Sequence, residues 1–121
     1  MIEHVFVYGT LLPGESRAPL LRPMVVDGGE ADTAEGQIFD TRRGYPAARF
    51  DLEGTIQGRS YLLRAERIER SLAELDEIEG TVSGLYHRIE ITTGLGRRAW
   101  AYQVGEPVDE FEVLNGSWLR R

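Results

Sequence analysis

Two stretches of the sequence hold residue types that could do chemistry. The first is FVYGTLLPGES, residues 6–16. Gly9, Gly14 and Ser16 nearly match the phosphate-binding pattern G-x-x-x-x-G-K-[ST]. The lysine position holds Glu15, which would repel phosphates, and there is no G-x-G-x-x-G. A nucleotide site is therefore not expected. The loop still has chemistry for a smaller anion. Gly9 lets backbone and ligand approach closely. Successive amides of Tyr8, Gly9, Thr10 and Leu11 can form a concave nest, with the Thr10 hydroxyl as a further donor. A carboxylate is small enough to fit. The other reading is an ordinary turn after a strand.

The second stretch is AERIERSLAELDEIEG, residues 65–80. At helical spacing Ile68, Leu72 and Leu75 share one face, and the next residue in that line is Glu79. Glu66, Glu69, Glu74, Asp76 and Glu77 fall on the flanks or far side and read as a solvated face. An inward carboxyl must be desolvated, and at a helix C-terminus, with Gly80 as the C′ residue, the dipole also disfavours its charge. Both effects raise its pKa toward the range that general acid–base catalysis needs. Two structural alternatives stand beside catalysis. The helix can fray and release Glu79 to water, or Glu79 can form a buried ion pair with an arginine such as Arg88.

The elements that must position these groups follow from periodicity and turn chemistry. Residues 3–8 read as a buried strand. Residues 16–22 read as one or two helical turns with Ser16 as N-cap. Residues 24–40 hold a turn and then a strand into Phe39, and RRGYP at 42–46 is a loop. Residues 47–50 and 55–63 are strands joined by a turn at Asp51–Gly54. Residues 65–79 form the main helix. Residues 86–93 and 97–104 are strands joined as a hairpin through Thr93–Gly96. In the tail, Trp118 is expected to seal a core edge. The pattern predicts an α+β fold, a small, mostly antiparallel β-barrel with one main and one or two short flanking helices.

Composition bounds the function. The chain has 121 residues, which fits one domain over 1–121. There is no cysteine, so neither disulfides nor thiolate metal sites are available, and only His4 and His87 offer imidazole. No metal site and no cofactor are expected. The net charge is -6, which disfavours nucleic acid as a partner. No apolar run is long enough for a membrane span or secretory signal, so a cytoplasmic location is expected and a membrane is not. Oligomeric state is not readable.

The sequence resembles the γ-glutamylcyclotransferase-like family, which includes γ-glutamylamine cyclotransferase and the plant AIG2-like proteins. VFVYGTLLPG at 5–14 looks like the family's signature loop. GYP at 44–46, LDEIEG at 75–80 followed by LYHR at 85–88, and GSWL at 116–119 resemble further family segments. The resemblance implies a small β-barrel with flanking helices. It implies that Tyr8, Gly9, Thr10 and Leu11 hold the glutamyl part of a small-molecule γ-glutamyl substrate. It makes Glu79 the catalytic acid/base and brings Tyr86 to the pocket, where it would bond Glu79 or substrate, or pack on its strand. Arg88 reads as structural. The implied reaction releases 5-oxoproline and a free amine or amino acid, without a cofactor. The alternative is a binding module that holds a carboxylated ligand in the same pocket without turnover. Two positions depart from the family pattern. Arg59, in GRSY, stands where an acid is usual and would alter the pocket rim or subunit contacts. Ile78 stands where an aromatic is usual, beside the catalytic acid.

Overall fold

The computed structural model describes residues 1–81 and 84–120. Among the described residues eight strands are formed: β1 His4–Val7, β2 Glu30–Glu35, β3 Gln37–Asp40, β4 Pro46–Arg49, β5 Thr55–Leu62, β6 Tyr86–Thr92, β7 Arg98–Val104 and β8 Glu112–Leu114. The described residues also form two α-helices, α1 Ala18–Leu21 and α2 Ile68–Glu79, and short 3-10 turns follow α1 at Arg22–Met24, precede α2 at Ala65–Arg67 and end the chain's described part at Trp118–Arg120. A five-stranded sheet has the order β2-β5-β1-β7-β6, and a three-stranded sheet has the order β4-β3-β8. The class is α+β, but the sheets do not close into a barrel. The tip of the β6–β7 hairpin touches β2 through the Gly94 N–H, which donates to the Thr33 carbonyl at 2.8 Å. No ladder follows from it.

Strand β1 is central, and this explains its continuous apolar run. Val5 and Val7 enter a core cluster with Leu75 and Tyr102, whereas Phe6 and Tyr8 enter a second cluster with Ile38, Ile56 and Trp118. A strand buried on both faces has no polar alternation. β1 pairs antiparallel with β5, Val5 opposite Tyr61, and parallel with β7, Val5 opposite Trp100. Among the described residues this is the one parallel pair, and the other ladders are antiparallel, in line with the mostly antiparallel expectation.

Several local expectations shift. The strand into Phe39 is two strands broken at Gly36, one in each sheet. The turn at 51–54 passes from one sheet to the other and does not close a hairpin, because β4 pairs with β3 and β5 with β1 and β2. Ser16 is not the N-cap of α1; Arg17 holds that position, with no side-chain cap. Strand β8 was not foreseen. Its partner β3 lies about 75 residues earlier, with Phe39 opposite Val113, beyond the reach of local pattern. Trp118 is buried as expected, and its indole Nε1–H donates to Glu15 Oε1 at 2.8 Å. The acid in the lysine position of the near-match loop thus ties the C-terminal turn to that loop. Among the described residues, no helix is long and apolar enough to cross a membrane.

Candidate active site

Helix α2 delivers Glu79 in its last turn. Leu75, one turn earlier, is wholly buried, which contributes about 1.5–3 kcal/mol and sets the helix against the sheet. The helix does not fray at Glu79. Gly80 takes the left-handed conformation, φ 71°, and its N–H donates to the Glu77 carbonyl at 3.1 Å. The Thr81 N–H donates to the Asp76 carbonyl at 3.0 Å, completing a Schellman stop. A glycine is needed there because a Cβ disfavours positive φ.

The side chain of Glu79 faces a cavity of about 80 Å3, which also receives Tyr8, Gly9, Thr10, Leu11 and Tyr86. At ~10–15 Å3 per water this is space for about six waters, the scale of a glutamyl unit. The fold therefore brings together every residue singled out in the sequence as catalytic or substrate-binding. Among the described residues, the N–H groups of Gly9, Thr10 and Leu11 have no hydrogen-bond partner in the protein. They form the free wall of the loop. Its carbonyls are used for its own turns: Gly9 accepts from the Leu12 N–H at 3.0 Å and Thr10 from the Arg17 N–H at 2.8 Å.

Burial pushes the Glu79 carboxyl up to about 7, opposed by the positive charge of Arg17. Among the described residues, Glu79 has no hydrogen-bonded partner. Three of the four tyrosines that line the cavity have committed their protons elsewhere. Tyr8 donates to the Tyr102 carbonyl at 2.6 Å, Tyr86 to the Pro46 carbonyl at 2.5 Å and Tyr102 to Asp76 Oδ1 at 2.7 Å. Burial, first, and the Glu79 charge both hold the Tyr86 hydroxyl well above the usual phenol range. Glu79 is thus the group in this cavity placed to exchange a proton near neutrality.

At four residues the structure decides between the alternatives or replaces the reading. Arg88 does not pair with Glu79. Its Nε lies 2.9 Å from Asp76 Oδ1, and its guanidinium stacks 4.4 Å from the Trp100 ring centre. Asp76 is consequently no solvated acid; it anchors α2 to β6 and β7 through Arg88 and Tyr102. Tyr86 does not bond Glu79, and its hydroxyl instead secures Pro46 at the start of β4. Arg59 lies off the cavity rim, donating to the Gly28 and Gly29 carbonyls at 2.6 and 3.2 Å. Ile78 does line the cavity. Arg17, Tyr45, Pro46 and Tyr102 also line it and were not anticipated. Nothing local marks them, though GYP at 44–46 was noted as a motif.

Gly9 has a second duty. A Cβ there would lie 2.6 Å from Pro46 Cγ and 2.8 Å from Cδ, atoms of a rigid ring. A side chain at Gly9 therefore disturbs the fold as well as the loop. Gly9→Ala should displace Pro46 and strain its bond to Tyr86, costing about 1–3 kcal/mol as overpacking. Urea unfolding of the variant checks this, and unchanged stability would show that Pro46 moves aside freely.

Comparison with known proteins places this geometry in context. The family model described as "Gamma-glutamyl cyclotransferase, AIG2-like" matches residues 5–120. No curated protein matches the sequence significantly. Among solved structures, protein ytfP from Escherichia coli is 30% identical, with a TM-score of 0.71 over 96% of each chain. An aig2-like protein (ggact) from Mus musculus shares the fold at 17% identity, with a TM-score of 0.68 over 95% of this chain and 87% of that one. YkqA from Bacillus subtilis is 25% identical, with a TM-score of 0.73; the match covers 99% of this chain but 40% of YkqA.

Proposed function

Since the chain belongs to the γ-glutamyl cyclotransferase, AIG2-like family, we propose that it releases 5-oxoproline from γ-glutamyl compounds. The observation that carries this reading is Glu79, a carboxyl poised near neutrality in one small cavity with three unpartnered loop amides.

The amides of Gly9, Thr10 and Leu11 hold the α-carboxylate of the glutamyl unit. Its α-nitrogen then lies within reach of its own γ-carbon. The nitrogen lone pair attacks that carbon, closing a five-membered ring, and the bond from the γ-carbon to the leaving nitrogen breaks. Glu79 takes the proton lost by the α-nitrogen and returns one to the leaving nitrogen. The carboxyl ends as it began, and no co-reactant is consumed. Because the nucleophile is tethered, orientation supplies much of the acceleration. Loop donors not engaged by the carboxylate stabilise charge on the γ-oxygen. Tyr86 keeps the Pro46 wall in place.

The test is a panel of γ-glutamyl amino acids and amines incubated with the purified protein, with 5-oxoproline measured by chromatography. Release from at least one compound, lost in the Glu79 variant described below, is expected. Binding without release would make the protein a carboxylate-binding module, and neither binding nor release would remove the γ-glutamyl reading.

A further inference from the structure

Arg17 is not used in the steps above, yet it stands at the cavity. Its backbone N–H is tied to Thr10 in the amide loop, and its Nη1 reaches the Ile78 carbonyl at 3.4 Å, one residue before Glu79. The side chain therefore spans from the loop to the end of α2. That hydrogen bond is long and weak, and it occupies one donor of a fork that offers five. Among the described residues Arg17 forms no salt bridge. Arg17 is half-buried, and exposed Leu85 also borders the cavity.

Charge decides what such a cavity accepts. Arg17 and Glu79 are its only acidic or basic lining residues among those described. Glu79 must be neutral for part of each cycle, which leaves one permanent positive charge. A γ-glutamyl amino acid carries two carboxylates and one ammonium. A simple γ-glutamylamine carries one of each and leaves the guanidinium without an anion. A planar guanidinium matches a carboxylate geometrically as well as electrostatically.

We propose that Arg17 pairs with a carboxylate on the leaving group, making γ-glutamyl amino acids, rather than γ-glutamylamines, the substrate class. This rests on the cyclotransferase reading and adds to it the identity of the leaving group. Arg17 is then a specificity residue, and the proton transfer remains with Glu79.

The test compares γ-glutamylalanine with γ-glutamylethylamide, which differ by one carboxylate. The wild-type protein should favour the alanine compound in kcat/KM by about tenfold to a hundredfold, the range for a hydrogen bond to a charged group. Arg17→Gln should bring the ratio near one by losing rate on the alanine compound. Arg17→Lys should keep part of the preference, because the charge remains while the fork is lost. The ratio is the readout because any effect of Arg17 on the Glu79 proton is common to both substrates. Equal use of both compounds by the wild type, or equal losses on both in Arg17→Gln, overturns the proposal. If neither compound is turned over, the cyclotransferase reading is decided by the wider panel above. Calorimetric binding of the same pair then decides Arg17. Tighter binding of the alanine compound, abolished in Arg17→Gln, sustains the carboxylate pairing, and its absence overturns it.

Discussion

Glu79→Gln is expected to lower kcat for 5-oxoproline release by about 10²–10⁴-fold while substrate binding changes little. The amide has nearly the shape of the protonated carboxyl, so the cavity wall and the helix end should be preserved. It cannot carry a proton from the α-nitrogen to the leaving nitrogen, and general acid–base catalysis is typically worth about 10²–10⁴-fold. The Schellman stop at Gly80 is built from the Asp76 and Glu77 carbonyls and does not involve the Glu79 side chain. Glu77→Gln is the control. Glu77 is exposed, two residues away on the same helix, and its change should leave turnover close to wild type. Equal losses in both variants, or full activity in Glu79→Gln, would mean that the proton is carried elsewhere.

The same carboxyl should make folding stability depend on pH, with a definite sign. Its folded-state value lies near 7, above an ordinary value of 4.5. Between those limits the native state keeps a proton that the unfolded chain has lost. Stability from this group is therefore full below about pH 4.5 and declines as pH rises toward 7, by up to ~3 kcal/mol. Glu79→Gln removes that decline. The variant's stability relative to wild type should rise across this window and level off above it. Urea unfolding of both proteins at pH 5 and pH 8 measures the difference, in which the other carboxylates cancel. A difference that is the same at both values would show that Glu79 is solvated and ionised in the folded protein.

Much of the scaffold was legible because its signals are local. The apolar run of β1, the 3.6-residue period of α2 and the Thr93–Gly96 turn each lie within a few residues of chain. Glu79 stood out by the same period, in line with Ile68 and Leu75, both of which are buried. By residue type alone the glycine loop reads first as an ordinary turn and second as an anion nest, and the resemblance to a family loop is what favours the nest. Asp76 was misread for an instructive reason. On the helix it occupies a flank, and a flank is solvated only if nothing packs on it. Arg88 and Tyr102, 12 and 26 positions away in the chain, come to that flank because β6 and β7 pair beside the helix.

The sequence by itself determined the α+β class, the main helix with its inward acid, and the exclusion of a Walker-type phosphate site by Glu15. These rest on side-chain period, turn chemistry and charge, which act over short separations. The tertiary structure decided how far the sheet closes, since hydrogen-bond pairing between distant strands leaves no local trace. It decided that Tyr86 serves Pro46, that Gly9 makes room for the same proline, and that Arg17 meets the end of α2 beside Glu79. Each of those contacts joins segments between about 37 and 61 residues apart, and only the packed chain brings their atoms within reach of one another.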